Sequence, residues 1–305
     1  MILLAVTEQN TGEKQQPTKA GRLSTGTKVL FDQVSFETSK LITKSYSSSF
    51  SSATSLLEPE IREAIYSIYG FVRYADEIVD TFHGYDKEYL LSKFENDFYE
   101  GLRGGISMNP ILHSFQQTVM KYHISDEHIR AFLRSMRSDL SKNVYMDENE
   151  MSDYIYGSAD VVGLMCLKVF VNGDEELFNH LKMPAMKLGS AFQKVNFLRD
   201  LKDDTEGLNR KYFPQLSITN FDNKAKDEII QSIDEDFEAA LIGIRQLPGR
   251  SKLAVYVAYK YYCLLLKKLK RTPASTILNR RVRVSGHLKA LLLLKSLADY
   301  RFGFI

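Results

Sequence analysis

Apolar residues recur along this chain at intervals of three and four, the spacing of helices that bury one face. Between Val29 and Tyr46 they stand at Leu30, Val34, Leu41 and Ile42, predicting a helix that ends at Ser47-Ser48-Ser49-Phe50-Ser51-Ser52. Serines do not fill a core, so the run reads as a loop, one whose hydroxyls and N–H groups also suit an anion. Glu58-Pro59-Glu60 opens the next helix, with proline in the permitted first turn and acids at the positive end. Helices follow over 87–102, from about Pro110, and from Ser125-Asp126, the last with Ile129, Phe132, Leu133 and Met136 on one side. Residues 151–171 read as one long apolar helix, in which Gly157 and Gly163 permit either close helix contact or space for a ligand. A helix from about Pro184 to Asp204 and others over 226–247, 251–270 and 285–297 complete the pattern. Strand-like alternation is scarce, so the chain is expected to be all-α. Residues 1–28, poor in large apolar side chains after the first six, read as a disordered leader or appended tail, and 29–305 as one domain.

Two stretches break the rule that a helix keeps like charges apart. In Tyr69-Gly-Phe-Val-Arg73-Tyr-Ala-Asp76-Glu77-Ile-Val-Asp80, the residues Tyr69, Arg73, Asp76 and Asp80 share one face. In Gln193-Lys-Val-Asn196-Phe-Leu-Arg199-Asp200-Leu-Lys-Asp203-Asp204, the residues Gln193, Asn196, Asp200 and Asp204 do the same. An exposed like-charged pair one turn apart costs about 0.2 to 0.5 kcal/mol. The apolar neighbours Phe71, Ile78, Val79, Val195, Phe197 and Leu198 place the pairs in a cleft, where the cost is larger. A divalent cation is the simplest counter-charge, and oxygen ligands alone suit Mg²⁺ or Mn²⁺. The basic segment Arg210-Lys211-Tyr212-Phe213-Pro214 follows closely enough to reach an anion held there. Asp139 and Tyr145 end an earlier helix without a spacing that assigns them a role.

Composition removes alternatives. Forty basic and 38 acidic residues give a net charge of +2, too balanced for a nucleic-acid binder. Cys166 and Cys263 lie in apolar helical stretches and form neither a disulfide framework nor a metal set. The six histidines have no ligand spacing, and no glycine-rich nucleotide loop occurs. A di-iron carboxylate bundle would need Glu-x-x-His pairs beside these acids, and none is there. No apolar run reaches the roughly 18 residues of a membrane span, which predicts a soluble chain.

The two signatures together resemble those of the squalene and phytoene synthase family, the head-to-head prenyl-diphosphate condensing enzymes. The likeness extends to Tyr46-Ser47-Ser48-Ser49-Phe50-Ser51, to Arg210-Lys-Tyr212-Phe213-Pro214 and to Asn279-Arg280-Arg281-Val282-Arg283-Val284. It departs at Glu77, where the family usually has aspartate, and at Asp203, where glutamate is common. The resemblance implies a single large helical bundle of the isoprenoid-synthase type with a central cavity. It implies that Asp76, Asp80, Asn196, Asp200 and Asp204 hold Mg²⁺ against substrate diphosphates, with Arg73 acting beside them. It further implies substrate contacts at Ser47, Ser49, Phe50, Tyr69, Tyr156, Gln193, Arg210, Tyr262 and Arg281, with Arg280 and Tyr261 as alternatives in register.

The expected reaction is a prenyl transfer without a nicotinamide cofactor. Two geranylgeranyl diphosphates would join through prephytoene diphosphate to phytoene, in carotenoid biosynthesis. A squalene or dehydrosqualene synthase using farnesyl diphosphate, and a non-catalytic assembly protein on the same fold, are the alternatives. The implied substrates and products are lipophilic, so a cytoplasmic protein with transient membrane contact is expected.

Overall fold

The computed structural model describes residues 19–206, 210–214 and 221–305; the predicted leader before Lys19 lies outside them. Among the described residues the regular structure is helical, and one isolated bridge pairs Val144 with Lys211. Helix α1 (Lys19–Tyr46) starts ahead of the predicted Val29, and α2 (Ser48–Thr54) occupies the serine run expected to be a loop. Only Ser47 leaves the helical path, capping α2 by accepting a hydrogen bond from Phe50 N at 3.3 Å. The hydroxyls of Ser52 and Ser55 turn back onto carbonyls within α2, which is how serines are accommodated in a helix.

Helix α3 (Pro59–Asp80) carries the first acidic motif, and α4 (Lys87–Gly104), α5 (Pro110–Tyr122) and α6 (Asp126–Ser138) pack beside it. Phe71 of α3 stacks on Phe115 at 4.0 Å and meets Phe94, Phe98 and Phe132, forming one buried cluster. The helix expected over 151–171 is instead α7 (Glu148–Ile155), a π-helical turn (Tyr156–Asp160) and α8 (Val161–Phe170). Such a turn carries an extra residue and shifts the register of the helix after it. Gly157 there lies against α6, where a β-carbon would stand 2.8 Å from Ser135 Cβ, so close helix contact explains this glycine.

Helix α9 (Glu175–Glu206) bears the second motif and begins well before Pro184, which sits inside it. The proline is tolerated where α10 (Asn223–Ile244) crosses at Gly243, since a β-carbon on that glycine would lie 2.4 Å from Pro184 Cβ. Helix α11 (Gly249–Arg271), the short α12 (Ala274–Ile277) and α13 (Gly286–Arg301) complete the chain. A second buried cluster joins α7, α9, α10 and α11. Between the two clusters lies an apolar cavity of about 290 Å³, walled by α2, α3, α8, α9, α10 and α11. No helix of the described residues is long and apolar enough to cross a membrane.

Candidate active site

Asp80 is the last residue of α3, and Asp204 lies in the last turn of α9. The acids therefore stand at or within about a turn of helix C-termini. That end carries partial negative charge, so carboxylates there call for external counter-charge. Burial, reinforced by the charge of Asp80, pushes Asp76 up to about 6. Burial, then Asp200, and also Asp80 from the opposite helix, push Asp204 up to about 7. The two motifs thus face each other closely enough to repel.

Arginines answer part of this charge. Arg73 binds Asp76 at 2.5 Å and also Glu77, so the glutamate that replaces the family's usual aspartate shares one guanidinium with Asp76. Arg210, only 5% exposed, donates to Asp80 Oδ1 at 2.7 Å and to the backbone oxygen of Asp139 at 3.0 Å. Its position follows from the bridge: Lys211 N donates to Asn143 O at 2.8 Å and Tyr145 N to Lys211 O at 3.1 Å, pinning 210–214 across the end of α6. Asp200 is held by Arg199 Nε at 2.8 Å and by Arg281 Nε at 2.6 Å. Of the two alternatives in register, Arg281 is the one that reaches Asp200, while Arg280 has no acidic partner among the described residues.

Asp204 has no ion-pair partner among the described residues. Its side chain, with Asp200 one turn away and the Asn196 amide beyond, offers oxygen donors of the kind a hard divalent cation takes. Among the described residues no three of His, Cys, Asp and Glu converge into a complete cluster.

The cavity runs along α9, the helix that carries the second acidic pair. Gln193, Asn196, Phe50 and Tyr262 line it, and Tyr262 Oη donates to Asn196 Oδ1 at 3.2 Å. Tyr262 stacks on Phe192 at 4.0 Å and lines the cavity, while Tyr261, the alternative in register, lies under Lys289. Phe50 stacks on Tyr69 at 5.0 Å, and Tyr69 neighbours Ser47, the cap of α2, with Ser49 half-buried on its first turn. Tyr156 is not brought to the cavity. The π-helical turn leaves it among Glu127 and Arg134 of α6 and gives its place in the wall to Ser158 and Ala159. Gly163 lines the wall as well, yet a β-carbon there would meet Ala185 O at 3.1 Å, so it serves both helix contact and cavity.

Several neighbours were not visible from spacing. Buried Tyr154 donates to Asp139 Oδ2 at 2.8 Å and stacks on Tyr212, which lies face to face with Phe197 at 3.9 Å. Burial pushes Asp139 up to about 7, and its Oδ1 has no hydrogen-bond partner. Arg199 stood inside the second motif, the one sequence signal that would have found it.

The sequence profile described as squalene/phytoene synthase matches residues 43–287, four-fifths of the chain. The chain belongs to the squalene/phytoene synthase family. Members of this family are prenyltransferases that act on prenyl diphosphates. A phytoene synthase from Pseudescherichia vulneris is 25% identical over 271 residues, covering 81% of this chain and 86% of that protein. The chloroplastic phytoene synthase 1 of Solanum lycopersicum is 26% identical over 269 residues, covering 81% of this chain and 64% of that protein. In fold the chain is similar to a dehydrosqualene synthase solved with a ligand (TM-score 0.76, 20% identity, 88% of this chain and 98% of that one). It is also similar to a squalene synthase from Alicyclobacillus acidocaldarius (TM-score 0.70, 21% identity, 79% and 95%).

Proposed function

We propose that this chain is a phytoene synthase, joining two geranylgeranyl diphosphates head to head through prephytoene diphosphate. The reading rests on one observation above the rest: the two acidic helix ends face each other, and Gln193 and Asn196, two turns and one turn before Asp200 on α9, line an apolar cavity. That cavity follows α9 from Asn196 to Leu181, fifteen residues of helix at about 1.5 Å each, or about 22 Å. A C–C bond of about 1.5 Å advances an extended chain by about 1.25 Å, so the sixteen main-chain carbons of a geranylgeranyl group reach about 20 Å and the twelve of a farnesyl group about 15 Å. The span is long enough for the longer donor at full extension. The names of the curated relatives support the choice of that donor.

Asp76, Asp80, Asn196, Asp200 and Asp204 would hold Mg²⁺, which when bound offsets the charge of a departing diphosphate. Arg73, Arg210 and Arg281, paired with the acids in this structure, would turn onto diphosphate oxygens, joined by Gln193 of the cavity wall and by Ser47 and Ser49 of the α2 start. Loss of diphosphate leaves an allylic cation that must meet the second donor's double bond before water. The apolar walls exclude water, and the rings of Phe50, Tyr69, Phe192 and Tyr262 offer their faces to the positive charge. The test is purified protein with Mg²⁺ and each donor separately, without reductant. A forty-carbon hydrocarbon from geranylgeranyl diphosphate is expected; turnover of farnesyl diphosphate alone overturns the assignment.

A further inference from the structure

Helix α13 is apolar on both sides, yet only one side is covered. Leu292, Leu293 and Tyr300 pack inward on a small cluster of Ala53, Leu56, Leu253 and Val257 from α2, its following turn and α11. Leu288, Leu291, Leu294 and Leu297 are 40%, 63%, 65% and 36% exposed, and Phe302 and Phe304, just past the helix, are 73% and 71% exposed. A helix that is apolar all round is ordinarily buried, and a contiguous patch of this kind on a folded protein marks a contact surface.

The charge around the patch says what contacts it. From Arg280 to Arg301 the chain carries Arg280, Arg281, Arg283, Lys289, Lys295 and Arg301 against the single acid Asp299. Asp299 faces inward, accepting a hydrogen bond from Tyr256 Oη at 3.2 Å. Arg281 and Lys289 are engaged with Asp200 and the Tyr261 ring, whereas Arg280, Arg283, Lys295 and Arg301 have no acidic partner among the described residues. Exposed leucines and phenylalanines set among unpaired cations are complementary to an anionic lipid surface, which takes the apolar side chains below its headgroups and the cations at their level.

The position of α13 fits such a partner. Its inner face closes the outside of the wall whose inner side, Phe50, Ala53 and Thr54 of α2 with Ala254, Val255, Ala258 and Tyr262 of α11, lines the cavity. We infer that α13 and the Phe302–Phe304 segment form a docking surface for an anionic bilayer, setting the α2–α11 wall of the cavity against the membrane. The docking itself stands independently of which prenyl donor the site takes.

The test is co-sedimentation of the full chain with vesicles of phosphatidylcholine alone and of phosphatidylcholine with about one third phosphatidylglycerol. The wild type should partition onto the anionic vesicles and come off at high salt. Leu291→Ser with Leu294→Ser and Phe302→Ser should lower the partition at least tenfold, and Lys295→Glu with Arg301→Glu should do the same only for anionic vesicles. Both variants should keep the wild-type melting temperature and the wild-type turnover of detergent-dispersed donor. That readout separates a failed docking surface from a failed functional assignment. Folded wild type that stays in the supernatant, or variants that partition as it does, would overturn the inference. So would light scattering that shows a dimer broken by the leucine variant, because the face would then belong to a second copy.

Discussion

Ala185 lies on α9 and lines the cavity eleven residues before Asn196, about 16 Å along the helix. A phenylalanine there fills the groove at the depth where a farnesyl group ends and a geranylgeranyl group continues. The last isoprene unit of the longer donor holds five carbons, and burial is worth about 0.8 kcal/mol for each, so excluding it removes up to about 4 kcal/mol, a factor of about 10³. Bending of the chain recovers part of this, and a fall of 30-fold or more in kcat/KM for geranylgeranyl diphosphate is expected from an order-of-magnitude reading. Farnesyl diphosphate should lose less than about threefold and yield a thirty-carbon product, reversing the preference. Steady-state kinetics with each donor, hydrocarbon mass analysis and a melting curve to confirm folding measure the effect, since overpacking itself costs about 1 to 3 kcal/mol. Geranylgeranyl turnover that survives Ala185→Phe within threefold would refute the placement of the prenyl chain along α9.

Asp80→Ala combined with Asp204→Ala should abolish product formation, a loss of at least about 10³-fold, while circular dichroism shows the helices retained; substantial residual turnover would remove both acids from the chemistry. Asp160, buried at 7% exposure and bound by Ser190 at 2.9 Å, is pushed up to about 7 by that burial. A carboxyl raised in the folded state favours folding at low pH, and this stability is lost as pH rises from the unfolded value near 3.8 through about 7. Asp160→Asn should therefore flatten the decline in melting temperature between about pH 4 and pH 7; an unchanged slope would contradict the burial argument. Gly243→Ala places a β-carbon 2.4 Å from Pro184 Cβ, and should cost about 1 to 3 kcal/mol in denaturant unfolding. Wild-type stability would show that α10 shifts freely at that crossing.

Helical periodicity made the all-α fold legible because each helix buries one stripe, and the acidic pairs were legible because like charges one turn apart demand a reason. Features set by contacts between elements were not. The serine run carries no apolar periodicity, and Ser47 caps a helix there only because the chain turns at that point. Pro184 reads as a helix start, since the glycine that accommodates its ring lies 59 residues away on α10. The extra residue in the π-helical turn leaves no trace in composition, and it decides that Tyr156 faces α6 while Tyr154 meets Asp139. Asp139, Tyr154 and Tyr212 become one group only after the Val144–Lys211 bridge brings two distant loops together. Which of Arg280 and Arg281 reaches Asp200, and which of Tyr261 and Tyr262 lines the cavity, likewise needed the direction of side chains, which spacing alone leaves one residue uncertain.

The central claim is tested most directly by competition in one vessel: purified protein, Mg²⁺, equal concentrations of geranylgeranyl and farnesyl diphosphate, no reductant, and mass analysis of the hydrocarbons formed at low conversion. A forty-carbon hydrocarbon should dominate, and chelation of the divalent cation should stop its formation. A mixture dominated by thirty-carbon hydrocarbon, or no hydrocarbon from folded protein, would contradict it.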